Sequence, residues 1–310
     1  MNLLEKRILF VCRQKSNGQA SPIVQAQHAS LQSANVDVFL IRGKGLLAYF
    51  KSIPKLRKFI KTQNIDIIHA HYSFSGYAAS LSLFKPVVCS LMGSDVQAKG
   101  IKKGLLRFFA LHIWDAVVVK SKPMAQNIGL ESAHIIPNGV NFSTFRETDR
   151  QEASRKTGFD RNKHNILFLA DPARPEKNYN LASEAVNILA DQNIVLTAIH
   201  GIDHNEIPHY LSAADILLLT SKWEGSPNAV KEAMACNCPM VSTDVGDVKE
   251  IIGDTEGCYI TSFEAEDVAA KLKLALDFGK RTKGREKIQH LDSTIIAERL
   301  IEVYKQVLNK

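Results

Sequence analysis

The stretch from Asp215 to Val241 constrains this chain most. Ile216 to Leu219 is an unbroken apolar run, which reads as a strand buried on both faces. Glu224-Gly225 forms a loop, Ser226 is the predicted N-cap, and Pro227 suits the first position of a helix that runs to about Cys236. Asn237 takes the left-handed exit position, where glycine is commoner, and Pro239 to Ser242 starts the next strand. The arrangement places backbone N–H groups of Asn228, Ala229 and Val230 at a helix N-terminus, an end that binds phosphate. Glu224 sits in the loop beside it, and Glu232 lies one turn into the helix. One acid near the phosphates and one along the helix wall can hold hydroxyl-rich groups on the two sides of a diphosphate. On the residues alone, the pattern also fits a capped surface helix with two solvated acids.

The rest of the chain alternates in the same way. Strands are predicted near Ile8–Cys12, Val36–Ile41, Asp66–Ala70, Val87–Leu91, Ala116–Val119, His134–Ile136, Asn165–Ala170 and Ile194–Ile199, with helices between them. That is the pattern of parallel sheets covered by helices, and 310 residues suffice for two domains. No apolar run approaches a membrane span, and the N-terminus passes almost directly into a strand, so a cytoplasmic protein is expected. The five cysteines read as reduced structural thiols. Cys236 and Cys238 are too closely spaced for a usual zinc pair, and no metal site is expected.

Charge is unevenly spread. Residues 1–160 hold 22 Lys+Arg against 10 Asp+Glu; the remainder holds 17 against 22. A basic first half implies an anionic surface or acceptor, and no nucleic-acid motif accompanies it. Two segments carry the excess. Leu46 to Ile60 is a basic amphipathic stretch expected to break near Pro54, and Lys99, Lys102, Lys103 and Arg107 lie among Leu105, Leu106, Phe108 and Phe109. Either reads as a helix resting on an anionic membrane face, or as a core helix with a solvated basic side.

Several loops follow strands. Asn17 and Gly18 lie after the first strand, where a doubly wound sheet puts a ligand loop, but without the glycine fingerprint of a dehydrogenase. His71 ends the third strand and is a candidate substrate contact, while His69 reads as structural. Gly93 and Asp95 follow the fourth; Asp95 either orients a hydroxyl or caps a helix. His200 ends the strand Ile194–Ile199, at a place where a nucleobase can pack.

The run Glu224-Gly225-Ser226-Pro227-Asn228-Ala229-Val230, Glu232, then Pro239 to Gly246 and Glu250 to Ile252, resembles the donor-site signature of retaining glycosyltransferase family 4. The resemblance implies the GT-B fold, α/β with two Rossmann-like doubly wound domains facing a central cleft. It divides the chain into 1–160 on the acceptor side, 161–293 on the donor side, and a helix at 294–310 that packs back on the first domain. It implies that Glu224 contacts the transferred sugar and Glu232 the ribose. Arg174 and Lys177 lie where the family places a cationic pair on the donor diphosphate, and the loop with Asn17 and Gly18 faces the acceptor. Gly93 and Asp95 match the family, but Met92 stands where many relatives have histidine. Asn178 and Asp247 stand where relatives commonly have glycine.

The expected activity is transfer of a sugar, with retention, from a nucleotide diphosphate sugar (a UDP-sugar by preference) to a glycan or lipid-linked acceptor of surface polysaccharide. Neither a cofactor nor a metal is expected, because Arg174, Lys177 and the helix end take the metal's role. Expected partners are the donor, the acceptor and an anionic membrane at its inner face. The rivals are a nucleotide-sugar epimerase of the same fold and a non-catalytic sugar-nucleotide-binding protein.

Overall fold

The computed structural model describes residues 5–84 and 86–310. The chain forms two compact units, one made of the residues up to Gly139 together with Ser293–Lys310, the other of Val140–Asp292.

The first unit runs β1 (Arg7–Arg13), α1 (Pro22–Ser30), β2 (Asn35–Ile41), α2 (Leu47–Gln63), β3 (Ile67–His71), α3 (Ser73–Leu81), β4 (Val87–Ser90), α4 (Ile101–His112), β5 (Ala116–Val119), α5 (Lys122–Ile128) and β6 (His134–Ile135). Its six strands are all parallel, in the order β2-β1-β3-β4-β5-β6. The second unit runs α6 (Arg150–Thr157), β7 (His164–Phe168), α7 (Tyr179–Leu189), β8 (Ile194–Ala198), α8 (Ile207–Ala213), β9 (Ile216–Leu219), α9 (Asn228–Ala235), β10 (Met240–Thr243), α10 (Val248–Ile252), β11 (Cys258–Thr261), α11 (Ala265–Phe278) and α12 (Gly284–Lys287). Its five strands are also parallel, in the order β11-β10-β9-β7-β8. The last helix, α13 (Ser293–Leu308), returns to the first unit.

The central strands are apolar on both faces because helices cover both: β3, β4, β5, β9 and β10 are buried throughout, whereas the edge strands β2 and β8 are only partly so. Each sheet has one place where the chain reverses its direction of winding, between β1 and β3 and between β7 and β9. Ligand loops of such sheets lie at the carboxyl ends of the strands flanking that reversal. In the second unit those are the loops 169–178 and 220–227; in the first they are the loop with Asn17 and Gly18 and the end of β3 at His71.

Three expectations need correction. The boundary expected at residue 160 falls earlier, and the stretch from Phe142 to His164 belongs to the second unit: Arg285 donates to the Phe142 and Phe145 carbonyls, and Arg150 pairs with Asp215. The polar composition reflects a mostly exposed helix, α6, and not a spacer. Pro54 does not break its segment, which is one helix from Leu47 to Gln63. Pro54 is exposed, so water can meet the carbonyl that its missing N–H leaves unpaired. The third concerns the start of α9, described below.

On the α13 side of the first sheet, His69 shares hydrogen bonds with Tyr304 Oη and Ser90 Oγ, both at 2.7 Å, and all three side chains are buried. Burial holds the His69 imidazole well below its usual range, so it is neutral. Tyr304→Phe strips one ring nitrogen of its partner in a place water does not reach. A loss of about 1–3 kcal/mol in urea denaturation is expected; an unchanged midpoint would contradict this role for α13.

Candidate active site

The residues expected at the donor converge at the carboxyl ends of β7 and β9. Lys177 ends a short 3-10 turn, Pro175–Lys177, and Asn178 follows with φ of 55°. This is why relatives' glycine can be replaced only by a residue such as asparagine that tolerates the left-handed region. Lys177 Nζ donates to Glu224 Oε1 at 2.5 Å, and Ser221 Oγ donates to the same oxygen at 2.8 Å. Thr220 Oγ1 donates to the Lys177 and Asn178 carbonyls, and Lys222 N to the Glu176 carbonyl. Two loops far apart in sequence are thereby stitched into one surface. Arg174 belongs to it but turns its guanidinium onto Glu176, at 2.6 and 2.9 Å, and is well exposed. That contact and the Glu176 backbone amide hold the Glu176 carboxyl below its usual range, the amide most.

The helix α9 begins at Asn228, with Pro227 as its cap residue. Ser226 is therefore not the N-cap expected from sequence. Its hydroxyl is claimed by a buried chain: Lys231 Nζ donates to Ser226 Oγ at 2.5 Å, and Ser226 Oγ donates to Asp247 Oδ2 at 2.5 Å. Lys231 is 1% exposed, and burial pulls its ammonium down to about 8 while Asp247 and Glu232 oppose the fall. Burial raises the Asp247 carboxyl, against the pull of Lys231. Gly246 has φ of 63°, and a Cβ there would lie 3.0 Å from the Gly225 carbonyl oxygen. The second loop thus presses directly on the first, and Gly225 is held from both sides.

Glu232 is nearly buried, and His204 Nε2 donates to its Oε1 at 2.8 Å. His204 also lies against Phe145, ring centroids 5.0 Å apart. Sequence reasoning missed His204, which sits in a polar loop with no motif around it. It missed the Lys231–Asp247 chain too, although a lysine amid the apolar residues of α9 was a signal. His200, the expected base contact, is exposed at the end of β8. Asn228, Ala229 and Val230 form the first turn of α9, with Val230 fully buried.

In the first unit the residues expected on the acceptor side divide. Asp95 is buried, and its carboxylate accepts from the backbone N–H groups of Met92, Gly93 and Ser73 at 2.9–3.2 Å. It staples the turn after β4 to the first residue of α3. Of the two readings of Asp95, orienting a hydroxyl or capping, the carboxylate's contacts in this structure are those of a cap on backbone amides. Gly93 has φ of 117°, which that turn needs. His71 is buried between Phe10 and His69, ring centroids 4.5 and 4.3 Å away, and neither ring nitrogen has a hydrogen-bond partner. Burial, with Lys120 adding, pushes it down to about 3. Asn17 and Gly18 are exposed in a loop closed on itself by Gln14 Nε2 donating to the Gly18 carbonyl. Among the described residues, no group of three His, Cys, Asp or Glu is placed to hold a metal ion, and the five cysteines are free.

The comparisons with known proteins divide the chain at the same two halves. The model of Glycosyltransferase Family 4 matches residues 16–144, and that of Glycosyl transferases group 1 matches residues 196–289. The chain is 28% identical to the putative teichuronic acid biosynthesis glycosyltransferase TuaC of Bacillus subtilis, over 66% of this chain and 59% of that protein. It is 24% identical to the UDP-Gal:alpha-D-GlcNAc-diphosphoundecaprenol alpha-1,3-galactosyltransferase of Escherichia coli, over 66% of this chain and 65% of that one. The match thus spans about three fifths of the length of these curated relatives. Among solved structures, sucrose-phosphate synthase from Thermosynechococcus elongatus shares the fold with a TM-score of 0.82 at 16% identity, over 98% of this chain and 100% of that one.

Two outcomes are expected from this geometry. The Glu232 contact raises the His204 pKa above 6.5, so its stabilising share is complete below pH 6.5 and is lost as pH rises through the folded value. An NMR titration of His204 should show that elevation and its disappearance in Glu232→Gln; equal values in both proteins would contradict the pairing. Lys231→Met leaves Asp247 without its charge partner and is expected to cost about 3 kcal/mol. Lys231→Met with Asp247→Gly should recover part of it, with a coupling of about 1 kcal/mol or more in a denaturation cycle. Strict additivity would contradict the chain.

Proposed function

We propose that this chain, which belongs to the family 4 glycosyltransferases of the GT-B fold, transfers a hexosyl group with retention from a UDP-sugar to a lipid-linked glycan of surface polysaccharide. The observation that carries the reading is the surface stitched by Lys177 and Glu224 beside the amino end of α9. It offers a cation, a carboxylate and the first-turn amides of a helix within one loop pair.

In this reading, the amides of Asn228, Ala229 and Val230 take the β-phosphate oxygens, and Lys177 exchanges Glu224 for the diphosphate. Arg174 swings from Glu176 and forks onto the same group, as its planar guanidinium allows. Together they stabilise the charge that develops on the leaving diphosphate; loss of one such contact costs about 3 kcal/mol of barrier, or roughly a hundredfold in rate. Glu224, released from Lys177, accepts from sugar hydroxyls. Glu232, oriented by His204, accepts from the ribose. This division of labour calls on no cofactor or metal.

The acceptor is argued more coarsely. The Escherichia coli relative is named for UDP-galactose and a diphosphoundecaprenol-linked sugar, and the Bacillus relative for teichuronic acid. No helix among the described residues is long and apolar enough to cross a membrane. Work on a lipid-linked acceptor at the cytoplasmic face of the inner membrane accords with these names and with the basic first half of the chain.

Calorimetric titration of UDP, GDP and ADP tests the donor assignment. UDP is expected to bind selectively, and Lys177→Ala to weaken it about tenfold or more, a change of about 1.4 kcal/mol. No binding of any nucleotide to folded protein would refute the reading.

A further inference from the structure

Each sheet ends in two edge strands, β2 and β6 in the first unit, β8 and β11 in the second. An edge strand shows a row of unpaired N–H and C=O groups, and proteins guard such rows with charge, shortness or cover. On β2, His28 Nε2 of α1 lies 3.1 Å from the Val36 carbonyl oxygen, and Asp37 puts a carboxylate into the strand, paired with Arg7. β6 is 2 residues long, and Arg299 donates to the Ile135 carbonyl. β11 is 4 residues long, and its first N–H, that of Cys258, donates to the Thr255 carbonyl.

β8 has no comparable guard. From Ile194 to Ile199 the chain reads Ile-Val-Leu-Thr-Ala-Ile, without a charge, a proline or a glycine. That is the composition of a strand buried on both faces, yet the strand lies at the edge and Val195 is 38% exposed. The direction of its backbone groups follows from its two ends. The Asn193 carbonyl accepts from His164 N, and Ile199 N donates to the Phe168 carbonyl. Asn193, Val195, Thr197 and Ile199 therefore turn their backbone groups to β7, and Ile194, Leu196 and Ala198 turn theirs outward. Ile194 N donates to the Asp191 carbonyl in a local turn. Among the described residues, nothing bonds the Ile194 carbonyl or the outward groups of Leu196 and Ala198.

We propose that β8 pairs antiparallel with β8 of a second copy of the chain, across a two-fold axis at Leu196, so that two five-stranded sheets join into one. The choice of occupant rests on symmetry. The outward groups are disposed evenly about Leu196, as a self-complementary pairing requires. Leu196 exchanges both of its hydrogen bonds with the second copy's Leu196, and Ala198 donates to the second copy's Ile194 carbonyl. On the α7 side, Ile194 meets Ala198, a large side chain against a small one. On the other side, Val195 and Thr197 meet in the close, non-hydrogen-bonded pairing, where two β-branched side chains pack well. The charges at the ends are mixed. Lys163, seated on the Gln192 carbonyl, and Asp191 lie at the start of the strand, with His200 and Asp203 past its end. An antiparallel pairing sets these two ends against each other. A strand from another protein would use the same row of groups but would not require their symmetry. The inference stands on the strand geometry and does not depend on the donor-site reading.

Sedimentation velocity of the full chain over a range of concentrations tests it. A dimer that dissociates on dilution is expected. Ala198→Pro removes an outward N–H and no bond to β7, a change that edge strands tolerate. It acts twice in a two-fold pair and should weaken the dimer about tenfold or more. Val195→Lys with Thr197→Lys sets like charges opposite each other and should weaken it by a similar factor. Val195→Lys with Thr197→Glu sets lysine against glutamate in the same register, and should keep the dimer within about threefold of wild type. The two double variants differ only in the sign of one charge, so the contrast between them reads the register. Far-ultraviolet circular dichroism spectra of all three should match wild type. A monomer at every concentration, a dimer that Ala198→Pro leaves intact, or equal loss in the two charged variants would overturn the proposal.

Discussion

A buried ammonium is the constraint on which the second unit of this protein depends. Lys231 sits on the inner side of α9, where an unpaired cation would be costly, so the surrounding backbone must deliver oxygen atoms to it. Ser226 and Asp247 come from two loops and meet it in series. Once they do, the loop carrying Glu224 and Gly225 has little freedom, and Gly246 closes the remaining space. The same packing aligns the first amides of α9. A charge inside the helix therefore fixes what the helix presents outside.

Topology does the rest of the positioning. A parallel sheet sends every strand's carboxyl end to one edge, and the winding reversal leaves a gap between the crossovers on that edge. In the second unit the loops after β7 and β9 fill that gap, and their threonine, serine and lysine contacts convert two loops into one surface. The first unit uses the same edge differently. There Asp95 secures the turn after β4, His69 and Tyr304 secure the return of α13, and the helices α2 and α4 turn apolar side chains outward.

Much of this was legible in the sequence because buried parallel strands are short, apolar and sharply bounded. Ile216–Leu219 and Ala116–Val119 were read to the residue. The edge strand β11 carries no such run and is only half-buried, so periodicity does not reveal it. The unit boundary was misplaced because α6 is polar enough to look like a linker, and its anchor, Arg285, lies far along the chain. Local capping statistics favoured Ser226, but a tertiary partner, Lys231, outcompeted the helix for its hydroxyl. Lys177 with Glu224 and the Glu232 position came from the motif. His204 came only from the structure, since a hydrogen bond across 28 residues leaves no local trace.

The central claim is that the loops after β7 and β9, with the amino end of α9, hold a nucleoside diphosphate. A crystal structure of the chain with UDP tests it most directly. The account predicts β-phosphate oxygens on the amides of Asn228 to Val230, Lys177 Nζ moved from Glu224 to the phosphate, and the ribose on Glu232. UDP bound elsewhere, with the Lys177–Glu224 pair unbroken, would contradict it.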